Sequence, residues 1–308
     1  MPDVAGFPQL AGGCVATVGT FDGVHLGHRD ILRRLQVRAS VTGLPALLVS
    51  FRPHPLDVVN PSAAPMLLSP GEEQLDALAD SGPLLVVLLP FTLALARLSA
   101  ESFVLQLLRQ RYRLRELVVG YDHGLGRGRH GDADLLARLG SEHGFGVERV
   151  PAVLDPNGLP VSSSAIRNSI AHGDIARARQ ALGRPYALHG TVVPGTRRGR
   201  ALGYPTLNVE LGSPRKLLPP DGVYAVRAHG ALGTFGGMMN LGGRPTFGEI
   251  DRTVEAHLFD TSGDWYGQIV SIEIIRRLRD TARFANLDAL VTQLGRDANE
   301  ARIALTQA

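Results

Sequence analysis

The chain has 308 residues, 44% hydrophobic and 20% charged, which is enough for two domains with separate cores and ordinary for a soluble globular protein. Its net charge of +3 and pI near 9.3 suit anionic small substrates as well as nucleic acid. The lone Cys14 excludes a disulfide framework or a cysteine metal cluster and points to a reducing cytoplasm, while a basic complement of 31 arginines and one lysine, Lys216, excludes a G-x-x-x-x-G-K-[ST] loop and disfavours Schiff-base chemistry.

Met1 to Gly13 lacks a basic region followed by an apolar one, so no signal peptide is expected. The apolar run Cys14–Val18 then reads as a buried strand, and Ile31, Leu32, Leu35 and Ala39 mark one face of a helix near 28–40. Between them lies Gly19-Thr20-Phe21-Asp22-Gly23-Val24-His25-Leu26-Gly27-His28. Two histidines flanking a glycine thus sit at a helix N-terminus, where free N–H groups and the helix dipole favour an anion. The imidazoles add side-chain donors, and Gly27 permits close backbone approach.

Further strands are expected at Ala46–Ser50, Leu84–Leu89, Leu117–Gly120 and Val147–Val150, with helices near 70–80, 99–112 and 132–143. Ser69-Pro70 reads as an N-cap with proline at the first helical position. This alternation predicts a parallel, doubly wound α/β sheet. The uncharged, apolar stretch Ser81–Ala96 contains Pro83 and Pro90 and is too short to span a membrane. Ser50-Phe51-Arg52-Pro53-His54-Pro55 follows the second strand at its carboxyl end, where ligands bind open sheets. Gly126-Arg127-Gly128-Arg129-His130-Gly131 matches G-x-G-x-x-G, but after the fourth strand rather than the first, so a dinucleotide fingerprint is not expected there. Short helices near 163–171 and 174–182 close this half, the first opened by Ser162-Ser163-Ser164 with Arg167 nearly one turn on. That cluster is either a serine-rich N-cap or a second phosphate clamp.

Beyond Arg184-Pro185-Tyr186, Gly and Pro punctuate short runs: Gly190–Val193, Pro205–Val209, Gly222–Ala228, Phe235–Asn240, Thr253–Phe259 and Ile269–Ile275. They predict a small antiparallel barrel or sandwich, followed by a helix over Leu287–Ala304, with the domain boundary near residue 184. In Gly195-Thr196-Arg197-Arg198-Gly199-Arg200-Ala201-Leu202-Gly203-Tyr204-Pro205-Thr206-Leu207-Asn208, an extended backbone puts Thr206 and Asn208 on one face, a hydroxyl beside an amide that suits Mg²⁺ with bound phosphate. Val254, Ala256 and Leu258 alternate inward, leaving Glu255 and His257 together on the other face.

These runs resemble the prokaryotic bifunctional riboflavin kinase/FAD synthetase family along essentially the whole chain. Its adenylyltransferase half carries G-x-F-D-G-V-H-x-G-H, S-F-x-P-H-P and S-S-x-x-I-R, and its kinase half G-x-x-x-G-R-x-L-G-[FY]-P-T-x-N; all are present in order. The resemblance implies an α/β doubly wound, Rossmann-like nucleotidyltransferase domain of the H-x-G-H superfamily at 1–183 and a small antiparallel β-barrel with a C-terminal helix at 184–308. It implies that the barrel phosphorylates riboflavin to FMN and that the first domain adenylylates FMN to FAD, with ATP as co-substrate of both and Mg²⁺ as cofactor. By the same resemblance His25, His28 and Arg167 are catalytic, the histidines contacting ATP phosphates and Ser164 and Arg167 holding the triphosphate, and Gly19, Phe21, Asp22 and Gly27 bind the nucleotide. His54, Asp122, His123 and Arg279 are assigned to flavin, and Gly195, Arg200, Gly203 and Pro205 to nucleotide in the barrel. Thr206 and Asn208 are assigned to nucleotide and metal there, and Glu255 to the catalytic base.

Two departures stand out. The family's V-V-G-x-D-F-x-F-G reads Val118-Val119-Gly120-Tyr121-Asp122-His123-Gly124-Leu125-Gly126, so His123 is left as the stacking group, and Thr281 replaces an acid two residues beyond Arg279. The first supports the rival reading of a monofunctional riboflavin kinase with a degenerate adenylyltransferase half. An aminoacyl-tRNA synthetase shares an H-I-G-H element, but K-M-S-K-S is impossible with lysine only at 216. An RNA-binding module could use Arg109, Arg111, Arg113 and Arg115 or Arg276, Arg277 and Arg279, but 6% unclustered aromatics offer no stacking platform. The expected partners are the small molecules riboflavin, FMN and ATP, without nucleic acid or membrane, and a weak homo-oligomer is compatible with the sequence.

Overall fold

In the computed structural model of the protein, residues 10, 12–82, 84–126, 128, 131–195, 199, 202–245, 250–261 and 263–307 are described. Contacts divide the chain into two compact units, Met1–Ser162 and Ser163–Ala308.

The first unit runs β1 (Cys14–Val18), α1 (Leu26–Thr42), β2 (Ala46–Arg52), α2 (Pro55–Val59), a 3₁₀ turn (Pro61–Ala63), α3 (Glu72–Ala79), β3 (Leu85–Pro90), α4 (Leu93–Ala96) and α5 (Ala100–Ser102). A π-helical stretch (Phe103–Arg111), β4 (Leu114–Gly120), α6 (Ala133–His143) and β5 (Gly146–Val150) follow. All strand pairs are parallel, in the order β3-β2-β1-β4-β5. β1 is buried along its length, as a central parallel strand covered on both faces must be. Its alternation splits two cores. Cys14, Ala16 and Val18 pack toward Phe103 and Leu107, and Val15 packs toward Leu32, Leu35 and Ala39 of α1. Burial pushes the Cys14 thiol up to about 12.

α1 ends at Gly43, whose left-handed backbone lets its N–H reach the carbonyls of Ala39 and Ser40. The helix expected from residue 70 begins at Glu72 instead. Ser69 is not its cap; Gly71 stands at that position, and the Ser69 N–H donates to the Asp22 carboxylate at 2.9 Å. α2 and α4, both short, occupy stretches for which no element was expected. Strand order reverses about β1, so the crevice that receives ligands in such sheets lies where β1 gives way to Gly19 and β4 ends at Gly120.

The second unit opens with α7 (Ser163–Ala171) and α8 (Ile175–Leu182), continues through β6 (Tyr186–Val193), β7 (Leu207–Leu211), β8 (Gly222–Gly230), β9 (Gly233–Pro245), β10 (Ile250–Leu258) and β11 (Ile269–Arg279), and ends in α9 (Leu287–Thr306). The six strands close into an antiparallel barrel, β10-β7-β6-β11-β8-β9, so barrel rather than sandwich is the outcome. α8 packs on β6 and β11, which is why the compact units part at Ser162/Ser163 rather than near 184. Ala298, Ala301 and Ala304 lay α9 against Ala225, Met238, Phe259 and Ile275. Small side chains there let helix and barrel approach closely. Lys216, the single lysine, is 3% exposed, with its ammonium 4.3 Å from the Tyr186 ring centroid. Among the described residues, no helix is long and apolar enough to cross a membrane.

Candidate active sites

In the first unit the β1–α1 junction is built under backbone strain. Phe21 and Val24 adopt positive φ of 49° and 40°, which non-glycine residues hold only where surroundings enforce it. Both are buried, and Gly19 is small because a Cβ there would lie 2.9 Å from the Phe21 ring. The turn delivers His25 to the N-cap of α1, where its Nδ1 accepts from the His28 N–H at 3.3 Å. With Nδ1 an acceptor, neutral His25 carries its proton on Nε2 and is a donor there. The His25 and His28 rings stack with centroids 3.6 Å apart, and the Phe21 ring lies 4.7 Å from that of His28. Gly27 makes room for this pair, since a Cβ would come within 3.2 Å of the His25 ring. The product is a pair of imidazoles at the positive end of a 17-residue helix, suited to phosphate oxygens.

Asp22 has a different task from the histidines. Its buried carboxylate accepts from the Leu68 N–H at 2.9 Å and the Ser69 N–H at 2.9 Å, tying the segment before α3 to the β1–α1 turn. His54, beyond the carboxyl end of β2, caps α2 through Nδ1, which accepts from the Leu56 N–H at 3.2 Å. Asp122 and His123 form the turn after β4, with the His123 N–H donating to the Gly120 carbonyl at 3.2 Å. A Cβ on Gly120 would lie 3.2 Å from Ile31 of α1, so this turn flanks the start of that helix. Leu125 is buried in the core beside Ala100 and cannot serve as a stacking platform, whereas His123 is only half-buried. Ser164 and Arg167 lie on α7, in the second compact unit.

In the barrel, β10 carries Glu255 directly opposite Asn208 of β7 and Asn240 of β9. Residues paired in this way share a face, so the carboxylate is flanked by two carboxamides. Val254, Ala256 and Leu258 are buried, as expected, and Glu255 and His257 face a cavity of about 330 Å³. Thr206, Asn240 and Arg279 line the same cavity. His257 is fixed by a 2.8 Å contact from Nδ1 to the Pro205 carbonyl. Asn208 lies so close to Gly195 that a Cβ there would fall 2.0 Å from its Nδ2, which only glycine permits. Gly203 holds φ of +82° in the turn before Tyr204. Arg200 lies outside the described residues.

The donors suit a magnesium ion: a Thr206 hydroxyl and an Asn208 amide are hard oxygen ligands, and Mg²⁺ needs only one or two protein groups beside phosphates and water. Two residues of this site were not anticipated. Asn240 stands in a strand whose alternation gave it no distinction, and Asp297 was hidden in a helix read only for its apolar stripe. A charge among Leu294, Ala298 and Ala301 was the available signal for the latter.

Comparison with known proteins finds two family profiles in succession along the chain. The FAD synthetase profile matches residues 7–165 and the riboflavin kinase profile residues 182–305. A bifunctional riboflavin kinase/FMN adenylyltransferase of Escherichia coli K12 is 39% identical over 292 residues, 94% of this chain and 92% of that protein. One from Pseudomonas fluorescens is 39% identical over 291 residues, with the same coverage. A crystal structure described as a macrolide-efflux protein from Streptococcus pneumoniae superposes with a TM-score of 0.86 at 30% identity, covering 96% of this chain and 95% of that one. With both profiles matched in order and relatives this similar end to end, the chain belongs to the bifunctional riboflavin kinase/FMN adenylyltransferase family.

Proposed function

We propose that the chain converts riboflavin to FMN and FMN to FAD in two successive ATP-dependent steps, one in each half. The observation that carries this reading is that each half presents its own chemistry: stacked imidazoles at a helix N-terminus in one, a carboxylate facing a cavity in the other. Presence of both enzymatic domains disfavours the kinase-only alternative.

In the kinase step the nucleophile is a neutral ribityl alcohol, which needs a base. Glu255 takes that proton as the oxygen attacks the γ-phosphorus of ATP, and ADP leaves. Thr206 and Asn208 would hold Mg²⁺, which supplies charge neutralisation on the phosphates when bound. Gly195, Gly203 and Pro205 shape the nucleotide loop, Arg200 belongs to it by family resemblance, and Arg279 faces the flavin. In the adenylyl step the nucleophile is the FMN phosphate, already ionised near neutral pH, so no base is required. His25, from Nε2, and His28 bind the triphosphate; Ser164 and Arg167 hold its β and γ groups, and pyrophosphate leaves. Gly19, Phe21, Asp22 and Gly27 keep the histidines in place, and His54, Asp122 and His123 take the flavin. The functional division falls at residues 1–183 and 184–308. The partners are riboflavin, FMN and ATP without nucleic acid, and the working compartment is the cytoplasm.

The test is chromatography of products from riboflavin, ATP and Mg²⁺. FAD accumulation, with FMN appearing first, is expected. A reaction that halts at FMN, even when FMN is supplied directly, would instead establish the kinase-only reading.

A further inference from the structure

Arg279 ends β11 with its guanidinium at the wall of the cavity that Glu255 faces. Its nearest neighbour in sequence, Asp280, is already engaged, because the Asp280 carboxylate pairs with Arg277. Thr281 stands where the family has an acid, so no carboxylate reaches Arg279 from its own loop. The carboxylate that does reach it comes from α9. Asp297, 1% exposed, accepts from Arg279 Nε at 2.8 Å and from Nη2 at 2.5 Å, a two-pronged pair that fixes the plane of the guanidinium. Gln293, one turn earlier, donates to the same carboxylate at 2.8 Å. The Asp280 carbonyl accepts from Nη1 at 2.8 Å, and the Phe284 ring lies 5.8 Å from the guanidinium carbon.

A guanidinium has five N–H groups. Three are accounted for by Asp297 and the Asp280 carbonyl, and among the described residues the remaining two have no protein acceptor. Burying the Asp297 carboxylate merely to hold α9 down is a poor route to stability, since an apolar pair of similar volume would serve as well. Alanines already provide the close helix–barrel fit over the rest of the interface.

We infer that Asp297 is a positioning residue of the kinase site: from the C-terminal helix it holds the Arg279 fork so that its two remaining N–H groups face the flavin in the cavity. The inference rests on the reading of Arg279 as a flavin contact. It makes α9 part of the active site and Gln293 a support for Asp297.

The test measures riboflavin phosphorylation, adenylylation of supplied FMN and thermal stability on the full chain for Asp297→Asn, Gln293→Leu, Arg279→Lys, Arg279→Ala and the reversed pair Arg279→Asp/Asp297→Arg. Asp297→Asn should lower kinase kcat/KM about a hundredfold, as a displaced contact does, with adenylylation unchanged. Gln293→Leu should give a smaller loss of the same kind, and it keeps the question open to measurement if Asp297→Asn folds poorly. Arg279→Lys should fall with Asp297→Asn, because lysine has no fork. The reversed pair should recover thermal stability without recovering phosphorylation. Asp297→Asn and Gln293→Leu with kinase kinetics within twofold of wild type, while Arg279→Ala is impaired, would overturn the positioning role alone. So would a reversed pair that restores both stability and phosphorylation. Full kinase activity in Arg279→Ala would instead remove the flavin contact on which the inference rests.

Discussion

The two halves handle the same co-substrate with opposite means. The α/β unit gathers backbone donors and two imidazoles around a helix N-terminus, with Asp22 accepting from the Leu68 and Ser69 N–H groups. The barrel puts a carboxylate between two carboxamides. The difference follows from the nucleophiles. An ionised phosphate needs only alignment and charge neutralisation, whereas an alcohol needs its proton removed.

That contrast is exposed most directly by removing Glu255, the proposed base. Glu255→Gln should cut phosphorylation of riboflavin about a thousandfold, within the usual range for a general base. Conversion of supplied FMN to FAD should be untouched. A Glu255→Gln enzyme that still makes FMN at near wild-type rate would show that the barrel, too, works by alignment alone. The reciprocal change, His28→Ala, should slow FAD formation roughly a hundredfold, as loss of one preorganised donor does, and leave FMN formation intact. Equal damage to both activities would break the separation between the sites.

Smaller effects sharpen the picture. Gly195→Ala forces Asn208 aside, and should lower kinase kcat/KM about tenfold, with the loss concentrated in the KM for Mg·ATP. A loss confined to the riboflavin KM would place Asn208 with the flavin rather than the metal. Cys14 tests the frame rather than a site. The folded thiol keeps its proton to about 12, whereas an ordinary thiol loses it near 9.0. Its contribution to stability is therefore fully present below pH 9 and declines as pH rises from there toward 12. Alkylation at pH 8 should be negligible in the native chain and complete in denaturant; ready native alkylation would mean that β1 opens far more often than its burial suggests.

Much of the arrangement was legible in the sequence because it rests on local rules. Continuous apolar runs gave the parallel strands, and the 3–4 spacing of Leu32, Leu35 and Ala39 gave α1. Alternation at Val254, Ala256 and Leu258 turned Glu255 and His257 to a common face. What escaped depends on partners far along the chain. That Asp22 also accepts from the Leu68 and Ser69 N–H groups, and that α3 starts at Glu72 rather than near residue 70, are not visible in the local sequence. The pairing of Glu255 with Asn240 and Asp297 reaching Arg279 across 18 residues are tertiary facts that no short window contains.

The solitary, covered Lys216 has a practical consequence. A protease that cuts only after lysine has one target in all 308 residues, and its side chain lies against Tyr186 in the barrel unit. Native protein should resist such an enzyme, and each opening of that unit should yield the same two fragments. Cleavage against denaturant would then report opening of the kinase half by a single band pair on a gel, without label or engineered tag, while the α/β half stays silent.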